Sequence, residues 1–320
     1  MIFSGKKYLA LSGGVGGAKL AVGLAQLLSP EQLTIVCNTG DDFDHYGLRI
    51  CPDLDSVMYA LAGRNNEQQG WGLADESWRV LDQLGAIGGE TWFRLGDLDI
   101  ATHLLRSDCL RRGESLSTVT KKLCAGFGVQ HHLVPMSDDP VATIVETANG
   151  DLSFQHYFVR QQCKPTVCGF YFRGIEQAKP HSDLLQPLLN DTIDAVIICP
   201  SNPFVSIDPI LQLPGVRAAL QNTSVPVIAV SPIVGGKALK GQAAKMLREL
   251  NYASSALAVA EYYRDILDVF VIDHADADQI SAIAELDIAV HATTSVMRSL
   301  DDRVRLAGEV LQFASVLAGE

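Results

Sequence analysis

The fold is decided by the stretch Tyr8-Leu-Ala-Leu-Ser-Gly-Gly-Val-Gly-Gly-Ala-Lys-Leu-Ala21. Its apolar start, Tyr8 to Leu11, predicts a buried β-strand, and a helical pattern begins at Ala18. Between them the chain is broken by four glycines, Gly13, Gly14, Gly16 and Gly17. The stretch therefore predicts a strand, a glycine turn and a helix.

The glycine turn suits an anion. Glycine lets the backbone approach a ligand closely, and the free N–H groups at the start of a helix favour phosphate. The turn is neither a P-loop, because Ala18 and Leu20 replace the required glycine and hydroxyl, nor a dinucleotide fingerprint, because Lys19 replaces the third glycine. We favour a phosphate cradle over the alternative of a tight turn that needs small residues only for packing.

The composition excludes several classes of protein. The chain has 320 residues, 48% of them hydrophobic, and a net charge of −12 with no basic run. Nucleic acid and anionic membrane are therefore poor partners. The seven scattered cysteines include no C-x-x-C pair, which predicts small buried thiols in a reducing compartment rather than disulfides or zinc. The chain carries no apolar run long enough to cross a membrane, and we expect a cytoplasmic protein.

Strands and helices alternate along both ends of the chain. After the first strand, apolar runs occur at Leu33 to Cys37, Ala195 to Cys199, Val225 to Val230, Leu267 to Ile272 and Ile288 to Val290. This order predicts an α/β fold with a doubly wound, mainly parallel, Rossmann-like sheet. We expect a single domain over residues 1–320.

The alternation of strands and helices is interrupted in the middle of the chain, which predicts an inserted helical and hairpin cap at about residues 64–190. Its helices are expected at about Ala74 to Leu84, Asp97 to Ser107 and Ser115 to Ala125, and its hairpin joins Val141 to Thr147 with Leu152 to Val159. The hairpin is predicted from Asn149-Gly150, a strong turn signal. A long amphipathic helix is expected over Val296 to Ala318.

Ligands of such sheets bind outside the carboxyl ends of the strands. Small polar residues follow four of the predicted strands, and the loop after the second strand carries the aspartates Asp41, Asp42, Asp44, Asp53 and Asp55. Mg²⁺ favours one or two carboxylates together with phosphate oxygens, so a metal role for some of these is expected. The alternative is a solvated acidic loop in which Asp55 caps the helix Ser56 to Leu61.

Two further stretches could contact a ligand. Arg94 could meet a phosphate or a ring carbonyl, or form a surface ion pair. Gly235-Gly236 resembles the first glycine turn, and Lys237 or Lys240 would bring positive charge near a diphosphate. The alternative is an ordinary glycine-rich connection.

Six blocks of sequence stand out along the chain: Leu11-Ser-Gly-Gly-Val-Gly-Gly-Ala-Lys19, Asn38-Thr-Gly-Asp-Asp42, Cys51-Pro-Asp-Leu-Asp-Ser-Val-Met-Tyr59, Leu95-Gly-Asp97 with Ala101-Thr-His103, Ser201-Asn-Pro203 and Ser231-Pro-Ile-Val-Gly-Gly236. Together they resemble one family, the 2-phospho-L-lactate transferases of coenzyme F-420 biosynthesis, which include archaeal phospholactate and bacterial phosphoenolpyruvate enzymes. The resemblance covers nearly the whole chain, with the blocks in the right order.

The resemblance implies a reaction. The enzyme would move 2-phospholactate, enolpyruvyl phosphate or 3-phosphoglycerate from its guanosine diphosphate conjugate to the terminal hydroxyl of the deazaflavin Fo. The products would be F-420-0 or dehydro-F-420-0 and GMP. Mg²⁺ is the implied cofactor, and a homodimer is expected, for which the apolar C-terminal helix would be suitable.

The resemblance also implies roles for particular residues. Asp42 and Asp53 would hold Mg²⁺, Asp55 with Arg94 would fix Fo, and one aspartate would accept the proton of the attacking hydroxyl. The diphosphate or the acid would be cradled by Gly13, Gly14, Gly16, Gly17 and Lys19, and the guanosine side would be lined by Asn202, Gly235 and Gly236. On this interpretation, Asp55→Asn leaves folding nearly unchanged and lowers turnover by orders of magnitude.

Two other functions are considered. A regulatory branch of the same superfamily binds nucleotide sugars without turnover, but the Pro52-Asp-Leu-Asp55 block and Arg94 favour the transferase. A nicotinamide-dependent dehydrogenase needs an acidic residue after the second strand, where this chain has Asn38.

Overall fold

A seven-stranded sheet forms the centre of the computed structural model, which describes residues 3, 5–238, 243–250 and 252–317. The strands are β1 (Tyr8–Ser12), β2 (Leu33–Cys37), β3 (Phe43–His45), β4 (Leu48–Ile50), β5 (His132–Pro135), β6 (Ala142–Thr147), β7 (Leu152–Ser153), β8 (Val167–Arg173), β9 (Ala195–Ile198), β10 (Val227–Val230), β11 (Ile233–Val234), β12 (Lys237–Ala238), β13 (Val269–Asp273) and β14 (Ala289–Thr293).

Twelve α-helices accompany these strands in the same described ranges: α1 (Gly14–Leu27), α2 (Pro52–Leu61), α3 (Arg79–Ala86), α4 (Asp97–Arg111), α5 (Leu116–Gly126), α6 (Ser182–Leu189), α7 (Asp208–Leu211), α8 (Val216–Asn222), α9 (Ala243–Glu249), α10 (Ala256–Tyr263), α11 (Ile280–Ala284) and α12 (Leu300–Leu317). Short π-helices span His156–Arg160 and Pro203–Ile207, and 3-10 helices span Ile175–Gln177 and His274–Gln279.

The central sheet has the order β14-β13-β10-β9-β1-β2-β5, and every neighbouring pair is parallel. The chain first moves outward from β1 through β2 to β5 and then returns to β9 on the other side of β1. The strand order therefore reverses between β1 and β9. This confirms the predicted doubly wound α/β fold and fixes its switch point.

The sheet is covered on both faces, which explains the continuous apolar runs of its strands. All five residues of β1 are buried. Tyr8 and Ala10 join the core packed under α1, α2 and α12, while Leu9 and Leu11 join the core on the opposite face with α6 to α8 and α10. The pleat of one strand thus supplies both cores.

The predicted cap contains a strand of the main sheet. β5 pairs in parallel with β2, with Thr34 opposite His132 and Cys37 opposite Pro135. This strand divides the inserted elements into a first group around α3 to α5 and a second group, the three-stranded sheet β7-β6-β8. The strand was missed because only Leu133 and Val134 are apolar between two histidines and a proline.

Other element boundaries differ from expectation for local reasons. The Asn149-Gly150 hairpin is present, with Gly150 at φ +107, but β7 ends at Ser153 and a π-helix follows. The last helix begins at Leu300 instead of Val296, because the Asp302 carboxylate accepts N–H bonds from Arg298 and Ser299 and caps the helix there. Ala318 lies outside the described residues.

None of the helices within the described ranges combines the length and apolar character needed to cross a bilayer.

Candidate active site

A cavity of about 760 Å³ opens at the switch point between β1 and β9. The turns after these strands form its floor, with Gly13, Gly14 and Gly16 from one and Pro200, Ser201 and Asn202 from the other. Segments of the two inserted groups cover it, including Trp71, Trp92, Phe154 and Phe158. The volume falls in the range of small-molecule sites, about 300–1,000 Å³.

The glycine turn is tightly packed against the turn after β9. The Ser201 hydroxyl accepts the N–H of Gly13 at 3.1 Å and donates to its carbonyl at 2.7 Å. A Cβ on Gly16 would lie 2.2 Å from the Pro200 carbonyl oxygen, and one on Gly17 would lie 2.4 Å from the Ser12 hydroxyl. Gly16 and Gly17 are therefore required for packing, and Gly17 lies behind the cavity wall.

Gly13 and Gly14, like Gly16, line the cavity. Gly13 precedes α1, and a Cβ there would lie 2.7 Å from the Asp53 carboxylate. Gly14 takes φ +62, a left-handed conformation that glycine adopts at little cost. The α1 N-terminus thus opens beside the Asp53 carboxylate, which accepts a hydrogen bond from the Gly14 backbone.

Asp53 is a buried carboxylate at the start of α2 and lines the cavity. Burial raises its pKa to about 6, against hydrogen bonds from Asn38 and the Gly14 backbone. Asn38 Nδ2 donates to Asp53 Oδ2 at 2.9 Å and to the Val205 carbonyl at 3.2 Å. Asn38, which begins one of the six sequence blocks but was given no role of its own in the site, thus orients the carboxylate.

Asp41 joins Asp53 at the cavity wall, although the predicted metal pair was Asp42 and Asp53. The Asp41 carboxyl is buried, its Oδ1 has no hydrogen-bond partner, and its pKa is raised by burial and by the charges of Asp53 and Asp42. Asp42 lies behind the wall, where burial raises its pKa to about 7 and the nearest cation, Arg49 Nε, is 3.9 Å away. Neither of its carboxylate oxygens has a hydrogen-bond partner among the residues that the structure describes.

The described partners of these three carboxyls offer little compensation for ionised oxygens, in agreement with their raised pKa values. Carboxylate oxygens are hard ligands of the kind that Mg²⁺ prefers. Asp41 and Asp53, which line the cavity, are the residues that would hold a divalent cation there.

Asp55 lies away from the cavity. Its two oxygens pair with the Arg106 guanidinium, at 3.0 Å for Nη1 and through a second contact to Nη2. His103 Nδ1 is 3.1 Å from Arg106 Nη1, and His103 Nε2 is 3.3 Å from Asp99 Oδ1. Asp55, Asp99 and His103 have ligand atoms within 4.8 Å of one another, but the buried guanidinium already neutralises Asp55.

Five aromatic side chains from the inserted groups line a part of the cavity that we call its aromatic end. It is made by Trp71, Trp92, Phe93, Phe154 and Phe158, none of which was predicted as a site residue. Arg94 lines the same end, with its guanidinium carbon 4.2 Å from the centroid of Trp78 and 6.0 Å from that of Trp71. The adjacent aromatic pair before Arg94 was the available signal, since aromatic residues next to a polar loop often bind rings.

The remaining predicted residues lie in different places: Asn202 is at the cavity, and the Gly235-Gly236 turn is not. Asn202 lines the cavity and caps the π-helix by accepting the Phe204 N–H at 3.0 Å. Gly235 and Gly236 form the turn between β11 and β12, at φ +56 and +70, and do not line the cavity. Gly235 N–H donates to Asp276 at 2.9 Å, so the turn has a structural anchor. Lys240 lies outside the described residues.

Lys19 reaches the cavity from the second turn of α1. Its ammonium donates to the Met297 carbonyl at 2.7 Å, within the segment Ser295 to Arg298 that also lines the cavity. Sequence reasoning had assigned this segment to a helix.

Comparison with known proteins identifies the family. A family model described as 2-phospho-L-lactate transferase CofD matches residues 9–305. The chain belongs to this transferase family. It is 40% identical to the phosphoenolpyruvate transferase of Streptomyces coelicolor over 314 residues, covering 96% of this chain and 98% of that protein. It is 39% identical to the 2-phospho-L-lactate transferase of Methanosarcina acetivorans over 299 residues, covering 93% and 96%.

The fold is shared more widely than the sequence. A crystal structure of a UPF0052 family protein from Bacillus halodurans superposes with a TM-score of 0.61 at 15% identity, covering 96% of this chain and 99% of that one. The resemblance to the 2-phospho-L-lactate transferase family predicted from the sequence blocks is thus confirmed, and the glycine turn, Asp53 and Asn202 of those blocks meet at one cavity.

Proposed function

We propose that this chain transfers a phosphorylated carboxylic acid from its guanosine diphosphate conjugate to the terminal hydroxyl of the deazaflavin Fo. The carried group is 2-phospholactate, enolpyruvyl phosphate or 3-phosphoglycerate, and GMP is released. The observation that carries the proposal is the division of one cavity of about 760 Å³ into a carboxylate-lined glycine turn and an aromatic end.

The aromatic end suits a planar tricyclic alcohol. Trp92 and Phe93 have ring centroids 5.7 Å apart with an interplanar angle of 72°, so their faces and edges offer apolar contact in two directions. Arg94 is ordered by Trp78 and presents N–H donors to the ring carbonyls. We assign Fo to this end, with its ribityl chain directed to Asp53.

The polar end suits the diphosphate. The first N–H groups of α1 and the Lys19 ammonium would contact phosphate oxygens, and Asp41 and Asp53 would hold Mg²⁺ between themselves and the phosphates. A bound Mg²⁺ neutralises charge on the phosphate oxygens and so assists the transfer. In our proposal Asp42 supports this site from behind, since its carboxyl is buried beside Arg49.

The reaction balances without another reactant. The ribityl hydroxyl attacks the phosphorus that bears the acid, a new P–O bond forms, and the P–O bond to GMP breaks. The hydroxyl proton passes to a carboxylate that lines the cavity, Asp41 or Asp53. Positioning of the two substrates in line supplies much of the rate.

The test is a product analysis. The purified chain is incubated with Mg²⁺, Fo and each of the three guanylylated acids, and products are identified by mass spectrometry together with GMP. Asp53→Asn should lower turnover by about 10²–10⁴-fold, in the range of a lost general base. Asp44→Asn is the control, because Asp44 is exposed and 3.6 Å from Arg49 at the surface.

Two outcomes would contradict the proposal. The absence of product with all three acids would exclude the transfer reaction. Stabilisation by a guanine or sugar nucleotide without turnover, and without any effect of Fo, would instead favour the regulatory binding function.

A further inference from the structure

A second cavity of about 220 Å³ adjoins the active-site cavity on the far side of the first turn of α1. Val15, Lys19, Ser56 and Trp71 line both cavities, so the two are adjacent. We call the smaller one the side cavity. Asn202, Ser231 and Pro232 line only the larger cavity, so the side cavity lies away from the end assigned to guanosine.

Positive charge dominates the side cavity. Lys19, Arg298 and Arg303 line it, and Glu67 is the one acidic residue among its lining side chains. This arrangement is opposite to the net charge of the chain, which is −12. A cationic cavity in an acidic protein is therefore a local feature that selects for an anion.

Arg303 is the residue that points to a ligand. Only 7% of its surface is exposed, and its Nε has no hydrogen-bond partner among the described residues. Its Nη2 donates to Glu67 Oε1 at 2.7 Å, and the Glu67 side chain is 67% exposed. A buried guanidinium normally has its donors satisfied, because leaving a buried charge partly unpaired is costly.

Glu67 occupies the place of an incoming anion. It is carried by the loop between Asn65 and Leu73, which is closed by one isolated bridge and by N–H bonds to the Asn66 side chain. The same loop carries Trp71 to the edge of the active-site cavity. A carboxylate entering the side cavity can replace Glu67 on Arg303 with little change in the rest of the fold.

We infer that the side cavity binds the carboxylate of the transferred acid, with Arg303 as its main partner and Glu67 as the intramolecular competitor. The inference rests on the proposed function and extends it to the specificity for the acid. The acid and the guanosine are attached to opposite ends of the diphosphate, which matches the positions of the side cavity and of Asn202 on either side of the glycine turn.

The first experiment uses phosphoenolpyruvate alone, without nucleotide or Fo, and follows tryptophan fluorescence because Trp71 lines the side cavity. The wild type should show a saturable change. Arg303→Gln should bind about 10- to 100-fold more weakly, as expected for a lost bond between charged groups. Glu67→Gln should bind about three- to tenfold more tightly, because the competitor loses its charge.

The control is Arg112→Gln, which removes the same charge from an exposed i,i+4 pair with Asp108. It should leave binding unchanged, and circular dichroism verifies that each variant is folded. The inference is overturned if Arg303→Gln binds like the wild type, if Glu67→Gln does not tighten binding, or if inorganic phosphate binds as well as phosphoenolpyruvate.

A second experiment separates the acid from the nucleotide. Calorimetry compares GDP with GDP-linked enolpyruvyl phosphate on the wild type and on Arg303→Gln. The variant should lose affinity for the conjugate and keep its affinity for GDP, whereas an equal loss for both would mean that Arg303 contacts the nucleotide phosphates and would overturn the assignment. The phosphoenolpyruvate titration needs no turnover, so its failure is distinct from a failure of the transfer reaction.

Discussion

Asp55→Asn is the substitution for which sequence and structure give opposite expectations. The sequence predicted a folded protein without turnover. In the structure the Asp55 carboxylate neutralises Arg106, whose surface is 1% exposed, and the variant would leave that guanidinium facing an amide. Burial lowers the pKa of Arg106, but the Asp55 carboxylate outweighs burial and the pKa lies above its ordinary value, so the variant loses the main group that stabilises the buried charge.

The expected loss of stability follows from these contacts. Breaking a buried pair by removing one partner costs about 3–5 kcal/mol. Arg106 has few other contacts that could replace the lost carboxylate. Its Nε has no partner among the described residues. Besides Asp55, its Nη1 contacts the Arg49 carbonyl at 3.3 Å and the His103 ring. At about 2.1 cal/mol/K per residue, the 320 residues give an unfolding entropy near 0.67 kcal/mol/K, so the melting temperature should fall by roughly 5–7 °C.

Thermal and urea unfolding followed by circular dichroism measure this loss. Asp55→Asn and Arg106→Met should each destabilise the protein, and the double variant should lose about 1–3 kcal/mol less than the sum, because the two residues share one interaction. Asp44→Asn is the exposed control and should stay within about 0.5 kcal/mol of the wild type. If Asp55→Asn melts like the wild type and yet loses turnover as completely as Asp53→Asn, our reasoning is refuted and Asp55 acts on the substrate.

Three further substitutions test other parts of the structure. Gly16→Ala should lose about 1–3 kcal/mol of stability and most turnover, because its Cβ would meet the Pro200 carbonyl. Gly126→Ala is the control and should be tolerated, because a Cβ there meets open space. Urea unfolding of the two variants measures the difference in stability. Trp92→Ala should raise the KM for Fo about three- to tenfold with little change in the KM for the GDP conjugate, as initial rates would show. Burial raises the pKa of Asp99, but His103 and Tyr59 outweigh burial and lower this pKa below 3.8. The stability that the Asp99 carboxylate contributes is therefore present above pH 3.8 and lost as the pH falls through the lowered pKa. The urea midpoint of Asp99→Asn should consequently decline less steeply in acid than that of the wild type.

Much of the fold could be predicted because its signals are local and repeated. The run of apolar residues in β2 was predicted with its observed bounds, Leu33–Cys37, and the apolar runs predicted around Ala195, Val227 and Val269 lie in strands of the same parallel sheet. β5 was missed because an edge strand needs few apolar residues when only part of it is covered. Thr34 and His132 pair at its start, and this pairing is a tertiary contact with no signal in the sequence of either strand.

Six of the seven cysteines are buried, in line with the prediction of small apolar residues, because thiols of this kind fill space in a core. The aromatic end of the cavity could not be predicted in the same way. Trp71, Trp92 and Phe154 come from three separate segments of the inserted groups, and they meet only through the packing of those groups over the switch point. The sequence shows an aromatic residue, but not which others it will face.

The two aspartates of α2 show where sequence reasoning lacked one step. Residues two apart on an α-helix project about 200° from each other, since each residue turns the helix by about 100°. Asp53 and Asp55 therefore cannot both face one cavity, and if Asp53 meets the glycine turn then Asp55 must point into the layer formed by α4. A buried carboxylate there requires a cation, and Arg106 lies on the buried side of α4 with its guanidinium on Asp55. The helical spacing thus places one aspartate at the cavity and the other in the ion pair with Arg106.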